Sequence, residues 1–246
     1  MQAYYARSYR ALWEGHWWWR SREAFLLGWL DRLHKESGGS PWRSLDVGCG
    51  DGLFFEGLSR YGDVEGLEAD PTLVRDPRWR DRITVGTLGP GYDPGPVFDV
   101  ATMLDVLEHI PDDLAALRSV RAALRPGGRL LLTVPALGWL WSRHDEVNEH
   151  QRRYHRPGLA GALRASGFEV QAVRYFFAWT VGPLLLRRWL SPAGGRKTGV
   201  DYAVEVPPAP LNRALMLVSR AEHAAGRLVR WPLGSSLLAV ARKAPG

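Results

Sequence analysis

Short apolar runs alternate with amphipathic stretches along the chain, and this pattern predicts alternating strands and helices. Strands joined through helical stretches need crossover connections, which are typical of a mostly parallel sheet with helices on both faces. The apolar runs place strands at 44–47, 63–68, 82–85, 98–104, 129–134, 168–175 and 235–242. We therefore predict an α/β fold.

Helices are predicted before the first strand and between the strands. Apolar residues at helical spacing run through residues 2–36, and the Gly/Ser/Pro stretch 37–41 ends that pattern. Asp112 and Asp113 suit the first turn of another helix, which Pro126-Gly127-Gly128 is expected to stop. Further helices are predicted from near Leu53, over 158–166 and over 211–231.

These elements divide the chain into four segments. An N-terminal helical cap covers residues 1–40 and a ligand-binding core covers residues 41–176. A helical insertion follows over 177–232, and residues 233–246 return to the core as its final strand and tail.

The composition is that of an ordinary globular protein, with 46% hydrophobic and 24% charged residues. Lys and Arg outnumber Asp and Glu by 32 to 26, a net charge of +6 that fits a solvated surface, an anionic membrane or an anionic substrate. A single cysteine, Cys49, excludes a disulfide framework. Residues 1–7 lack the apolar core of a secretory signal, and no apolar run reaches the ~20 residues of a membrane span. A cytoplasmic setting is expected.

The strongest motif is a glycine turn, Gly48-Cys49-Gly50-Asp51-Gly52, that follows the first predicted strand directly. Glycines permit a tight turn and let a ligand approach the backbone. A dinucleotide fingerprint would need another glycine in place of Leu53, and the carboxylates of Asp46 and Asp51 would repel a pyrophosphate. Two acids suit a ligand that offers ammonium or hydroxyl donors. Glu68, 22 residues after Asp46, is placed to accept from both hydroxyls of a ribose.

Four segments in order carry a family resemblance: Leu45–Gly52, Gly66–Glu68, Phe98–Val100, and Leu107–Asp112 with Arg125–Gly128. Over residues 43–176 and the last strand, the chain resembles the class I S-adenosylmethionine-dependent methyltransferases. Residues 16–22 and 144–154 are similar to a bacterial subgroup linked to cell-surface glycan or lipid pathways. The resemblance implies a Rossmann-like, mostly parallel seven-stranded sheet whose last strand is antiparallel.

The resemblance also implies a set of residues that bind S-adenosylmethionine and, after transfer, S-adenosylhomocysteine. Asp46 and the turn would hold the methionine end, Glu68 the ribose, and the remaining contacts would lie along the strand ends. Met103 is equally interpreted as a core residue, and Arg20 would reach the cofactor carboxylate if Trp17–Trp19 formed a lid instead of packing on the core. The implied cofactor-binding residues are Asp46, Gly48, Cys49, Gly50, Glu68, Ala69, Thr87, Leu88, Met103, Asp105 and Arg20.

Methyl transfer from a sulfonium is an in-line displacement, in which the protein aligns the reactants and excludes water. An oxygen acceptor also needs a base. His109 is the first candidate because it follows the fourth strand, and His144 and Tyr154 are the alternatives. His144, Asp145 and His150 match no strong ligand spacing, so no metal is expected.

The predicted helix of the insertion is informative about possible binding partners. Leu215, Val218, Ala225 and Leu228 form one stripe of the 211–231 helix, and Arg213, Arg220 and Arg227 form another. Such a helix lies in a membrane interface, packs on a core or forms a homodimer contact. We expect a small-molecule or lipid- or glycan-linked acceptor, with peripheral membrane contact through 178–231 left open.

Nucleic acid is not expected as a partner, because Leu104–Leu107 replaces the Asn/Asp-Pro-Pro-Tyr signature of adenine methylation. A nucleic-acid methyltransferase and a non-catalytic S-adenosylmethionine-binding protein are the alternatives. A dehydrogenase is the least favoured interpretation.

Overall fold

The computed structural model describes residues 10–89, 92–190 and 205–245. Seven strands form one sheet in the order β3-β2-β1-β4-β5-β7-β6. Neighbouring strands from β3 to β5 are parallel, and β7 runs antiparallel to both β5 and β6. The strands are β1 (Trp42–Val47), β2 (Gly62–Glu68), β3 (Ile83–Val85), β4 (Phe98–Leu104), β5 (Leu124–Pro135), β6 (Phe168–Phe176) and β7 (Ser236–Lys243). The predicted fold class is confirmed.

The helices flank this sheet. Residues 10–15 are also helical, and short 3-10 turns cover Arg80–Arg82, Leu107–His109 and Gly138–Leu140. The α-helices are α1 (Trp17–Glu36), α2 (Phe55–Leu58), α3 (Asp113–Ala123), α4 (Arg143–Val147), α5 (Arg156–Ala165), α6 (Val181–Leu190) and α7 (Ala209–Ala225).

The sheet is buried on both faces, so its strands alternate between two apolar clusters. On β5, Leu131 packs with α1 and α2, whereas Leu130 and Leu132 pack with α3 and α5 on the other face. Of α1, Leu26 and Leu30 are fully buried in the first cluster. The division at residues 40, 176 and 232 remains a prediction.

Several predicted boundaries were wrong. The helix that Asp112 caps ends at Ala123, because Leu124 already pairs with Phe98 as the first residue of β5. The turn 126–128 therefore lies within β5 and does not stop the helix. The helix predicted from near Leu53 is reduced to the short α2, and that predicted over 158–166 is α5, which begins earlier with a proline in its first turn.

The last helix differs from its prediction in both length and packing. It ends at Ala225 and not near residue 231, and of its predicted apolar stripe Val218 is 45% exposed, whereas Leu215 and Ala225 are half-buried. Its buried residues are polar: Ser219 accepts a hydrogen bond from the Trp179 indole, and Glu222 accepts one from the Trp179 backbone N–H. Asn212 adds contacts to the start of α1. Polar anchors thus hold α7, and most of its apolar side chains are left outside.

The tryptophans at the start of α1 pack on the core, which was one of the two alternatives. Trp17 lies 5.2 Å from Trp179 between ring centroids, and Trp18 stacks on Phe177 at 5.7 Å. Residues 191–204 of the insertion lie outside the described residues. Within the described ranges, no helix is both long and apolar enough to cross a membrane.

Candidate active site

The candidate site lies where β1, β2 and β4 end, because parallel strands bring their carboxyl ends to one edge of the sheet. The glycine turn leaves β1 here with positive φ at Gly48 (68°) and Gly50 (57°). A Cβ at Gly48 would overlap the side chain of Val106 after β4. The turn can therefore run close against the β4 loop only because this residue has no side chain.

Asp46 is the buried carboxylate of this edge. It is 3% exposed, and its Oδ1 accepts a 2.6 Å hydrogen bond from the hydroxyl of Thr102, its neighbour on β4. Burial raises the pKa of Asp46 to about 7, although Thr102 and Arg22 oppose the rise. A cationic ligand group bound beside Asp46 would therefore favour the charged form of its carboxyl group and lower its pKa.

Glu68 is the second acid and ends β2. Its Oε2 accepts from the backbone N–H of Gly50, and its Oε1 accepts from that of Asp70. These bonds of 2.8 Å and 2.9 Å hold the carboxylate against the glycine turn, 7% exposed. The geometry agrees with a carboxylate that can accept from two adjacent ligand hydroxyls.

Asp51, the other acid of the motif, has a structural role. It accepts from the backbone of Arg75 and Asp76 and forms an ion pair with Arg10 at 2.8 Å. Arg10 also pairs with Asp76, whose pKa is lowered to about 2 chiefly by its hydrogen bonds to Arg78. Asp51 thus ties the turn to the 75–78 loop and to the N-terminal helix.

Arg22, not Arg20, is the arginine of α1 that enters the site. Arg22 is 2% exposed, pairs with Asp105 at 2.7 Å and donates to the hydroxyl of Thr133 at 2.8 Å. The guanidinium of Arg20 is engaged by Glu23 on a more exposed part of the helix. Asp105 has a φ of 56°, which turns the chain sharply after β4 and directs its carboxylate toward Arg22.

The other residues predicted to contact the cofactor differ in their burial. Met103 is fully buried in the core, so its side chain is a packing residue, as the alternative interpretation had it. The Cys49 thiol also packs in the core beside Gly66, and burial raises its pKa. Ala69 and Thr87 are exposed at the sheet edge, and Leu88 is half-buried. Contacts of these residues with a cofactor remain predictions.

Two imidazoles and a carboxyl group meet beside Asp105. Glu108 and His109 lie in the turn after β4, and His150 approaches from the segment that follows β5. The rings of His109 and His150 are edge to face, 4.7 Å apart. Burial, followed by His150, lowers the pKa of His109 to about 4, so its ring is neutral. His150 donates from Nδ1 to the buried carboxylate of Asp145 at 2.9 Å.

Tyr154 does not suit the role of a base. Its hydroxyl donates to Asp113 at 2.8 Å, and burial, with this bond, raises its pKa. Its backbone bonds to Pro135 and Leu137, which extends the sheet beside β5. Tyr154 therefore anchors the segment that carries the histidines.

His144 lies at the rim of this segment. Its ring nitrogens are both 3.3 Å from the side-chain amide of Asn148, and its ring centroid is 6.1 Å from that of His150. Burial raises the pKa of Asp145, but hydrogen bonds from His150 and Arg153 outweigh it and lower the pKa. Asp145 is thus engaged by neighbours, and a metal set of His144, Asp145 and His150 has no support here.

The prediction from sequence missed Arg22, Glu108 and the pairing of His150 with Asp145. For Arg22 a signal was present, because it precedes Leu26 and Leu30 by four and eight residues and so shares their buried side of the helix. The other two follow from contacts between distant segments, which no local pattern shows.

The residues present fit S-adenosylmethionine. Asp46 offers a carboxylate to an ammonium, Glu68 offers two acceptor oxygens to a ribose, and Arg22, paired with Asp105, lies near Asp46. The glycine turn offers close backbone contact between them. Fold and site together define the class of enzymes that bind a nucleoside cofactor at the first crossover of a Rossmann-like sheet.

Comparison with known proteins gives the family. Residues 18–173 match the model of a family described as a methyltransferase domain, and the chain belongs to this family. The predictions of an S-adenosylmethionine-dependent methyltransferase and of its cofactor are confirmed.

Named enzymes among the relatives match only part of the chain. The ubiquinone biosynthesis O-methyltransferase of Xanthomonas euvesicatoria pv. vesicatoria (strain 85-10) is 36% identical over 154 residues, which are 53% of this chain and 64% of the relative. The ubiquinone biosynthesis O-methyltransferase of Xanthomonas campestris pv. campestris (strain B100) is 37% identical over 101 residues, which are 37% of this chain and 42% of the relative. The chain thus spans less than two thirds of these curated relatives.

Solved structures share the fold at low identity. The S-adenosylmethionine-dependent methyltransferase from Mesorhizobium loti has a TM-score of 0.53 at 19% identity and covers 82% of this chain and 91% of its own. The Burkholderia thailandensis 1,6-didemethyltoxoflavin-N1-methyltransferase, solved with 1,6-didemethyltoxoflavin and S-adenosylhomocysteine, has a TM-score of 0.51 at 21% identity. It covers 87% of this chain and 76% of its own.

Proposed function

We propose that the protein transfers the methyl group of S-adenosylmethionine to a hydroxyl oxygen of a small-molecule acceptor. The observation that carries this proposal is the juxtaposition of two sets of groups at one sheet edge. Asp46 and Glu68 suit the cofactor, and His109 and His150 supply ring nitrogens beyond Asp105, on the side where an acceptor would meet the methyl group. The O-methyltransferase relatives support oxygen as the acceptor atom.

In the proposed reaction the acceptor oxygen attacks the methyl carbon in line with the carbon–sulfur bond. An O–C bond forms as the C–S bond breaks, and both electrons of the broken bond go to sulfur, which becomes neutral. The acceptor hydroxyl loses its proton, and His109 remains the predicted base for that step, with His150 as a second candidate. Alignment and exclusion of water by the surrounding loops supply the rest of the acceleration.

The pH dependence of product binding tests the cofactor site. The pKa of Asp46 is raised to about 7 by burial, so the carboxylate that is to hold the amino-acid ammonium is protonated below that pH. We expect the affinity for S-adenosylhomocysteine, measured by calorimetry, to fall up to about tenfold per pH unit between pH 7 and 5. Asp46→Asn keeps the Thr102 bond and should bind weakly and without this slope. A wild-type affinity independent of pH, or no binding at all, would contradict the site.

We further propose that the acceptor is lipid-linked and is met at an anionic membrane, by peripheral contact at its inner face. The insertion exposes a set of apolar side chains, here named the insertion surface. Trp189 on α6 is 81% exposed, and Leu228, just after α7, is 91% exposed. Three arginines are also exposed, Arg213 and Arg220 on α7 and Arg227 just after it. The insertion surface comprises Leu184, Leu185, Leu186, Trp189, Val206, Leu211, Leu217, Val218, Leu228 and Val229.

Exposed apolar side chains with exposed arginines nearby in the chain suit a membrane interface, since apolar side chains enter the acyl boundary while guanidinium groups meet anionic headgroups. Replacement of Arg213, Arg220 and Arg227 by Gln should weaken binding to anionic vesicles by about 3 kcal/mol at low salt, from about 1 kcal/mol for each charge. Flotation with anionic and with neutral vesicles measures this loss.

The matched control replaces Arg80, Arg118 and Arg164 by Gln, which removes the same charge from exposed positions elsewhere. It should leave flotation nearly unchanged. If both triple variants lose flotation equally, the binding depends on net charge and not on the insertion surface. If the wild type does not float, the proposed membrane contact is wrong, and a homodimer contact becomes the alternative role of the insertion surface. Light scattering then measures the oligomeric state.

A further inference from the structure

We propose that Glu108, His109 and His150 bind a divalent metal ion of the zinc type, and that its open coordination position receives the acceptor oxygen. One ligand atom from each residue lies within 4.8 Å of the others. Ligands of one zinc ion lie about 2 Å from the metal, so small side-chain rotations close this set around an ion.

Glu108 is the strongest observation for the site. It is 0% exposed, and neither of its carboxylate oxygens has a hydrogen-bond partner within the described ranges. A buried, unpartnered carboxyl group is costly and rare in native proteins, so each one needs an explanation. A metal ion at this point would satisfy the two unpartnered carboxylate oxygens.

His150 is oriented as metal-binding histidines are. Its Nδ1 donates to Asp145, which is itself fixed by Arg153 at 2.7 Å, so the proton resides on Nδ1 and the lone pair on Nε2. Ligating histidines commonly donate their other nitrogen to a carboxylate in this way, which fixes the tautomer and the ring orientation. Asp145 is therefore a positioning residue and not a ligand.

The donor set selects the kind of ion. Two imidazoles and one carboxylate suit zinc and similar transition metals, whereas magnesium prefers oxygen ligands in an octahedron. Three protein ligands leave one position of a tetrahedral zinc site open. This part of the inference rests on the proposed function: an acceptor hydroxyl bound there would become more acidic and lose its proton to water before its oxygen attacks the methyl carbon. The imidazoles then act as ligands and not as bases, and the expectation of no metal is replaced.

Zinc titration of the full chain, stripped with a chelator, tests the site without reference to activity. With Zn²⁺ alone and a chromogenic competitor, we expect one equivalent to bind, and Glu108→Gln and His150→Gln each to lower the affinity at least about a hundredfold. Glu108→Gln keeps the shape of a neutral carboxyl and should remain folded by circular dichroism. His155→Gln, an exposed histidine at the start of α5, is the matched control and should bind as the wild type does.

Two results overturn the proposal: no stoichiometric zinc binding by the wild type, or binding that Glu108→Gln and His150→Gln leave unchanged. Magnesium at the same concentration should not displace zinc. Calorimetry of S-adenosylhomocysteine on the same preparations keeps the two proposals apart, because failure of that binding would count against the proposed function and not against the metal site.

Discussion

Replacement of Arg22 by Ala should destabilise the protein by about 3 kcal/mol, because it leaves a largely desolvated carboxylate without its cation. Arg22 is 2% exposed, and its partner Asp105 has a side chain that is 27% exposed. The same change removes the donor to Thr133 and the contact of the guanidinium with Trp18, 5.3 Å from the ring centroid. Urea unfolding followed by far-ultraviolet circular dichroism measures the free energy.

Arg20→Ala is the matched control, since Arg20 lies two residues earlier on the same helix and forms a more exposed pair with Glu23. It should cost less than about 1 kcal/mol. Arg22→Met separates charge from packing: it restores apolar volume but not the cation, so most of the loss should remain. Combination with Asp105→Asn should then recover part of the stability. Equal effects of Arg22→Ala and Arg20→Ala would show that the buried pair contributes little.

Much of the fold could be predicted from the sequence because the information is local. A strand that is buried on both faces appears in the sequence as an apolar run. A glycine turn directly after such a run indicates the edge of the sheet at which a ligand binds. All seven predicted strands are present, and the antiparallel last strand is confirmed. Boundaries failed where pairing with a distant strand decides the conformation. Leu124 continues an apolar helical pattern, but its partner Phe98 places it in the sheet.

Packing of the insertion was not predictable for a related reason. An apolar stripe on a helix normally marks the side that is buried. On α7 the side toward the protein is instead held by Ser219 and Glu222, which bond to Trp179 some 40 residues earlier in the chain. Because these polar anchors become visible only when both segments are in place, the sequence pattern left core packing, a membrane interface and a dimer contact open as alternatives.

The candidate site likewise contains residues that the sequence could predict and residues that it could not. Asp46 and Glu68 end strands and belong to motifs, so their places followed from the sequence. The histidine pair did not, because His109 and His150 come from segments 41 residues apart and meet only after β5. Tyr154 was predicted with His144 as an alternative base in one segment, yet its bond to Asp113 gives Tyr154 a structural role.

Replacement of Glu68 by Ala should weaken the binding of S-adenosylhomocysteine by about 1.5–3 kcal/mol, the range for hydrogen bonds to a charged group. This corresponds to about a 10- to 150-fold rise in the dissociation constant measured by calorimetry. The physical reason is that the carboxylate, 7% exposed at the end of β2, would lose the hydrogen bonds that it is proposed to accept from the two ribose hydroxyls. Backbone N–H groups of Gly50 and Asp70 bond to its two oxygens and hold them in place for that role.

Two variants make this result specific to ribose recognition. Glu65 lies on the same strand, is half-buried and forms an ion pair with Arg43, so Glu65→Ala should leave the affinity unchanged. Glu68→Gln retains one acceptor oxygen and should fall between the wild type and Glu68→Ala. Thermal unfolding shows whether each protein is folded, because loss of the Gly50 bond could loosen the turn by itself. An affinity that Glu68→Ala does not change would remove Glu68 from the cofactor site, and equal weakening by Glu65→Ala would point to the strand and not to the carboxylate.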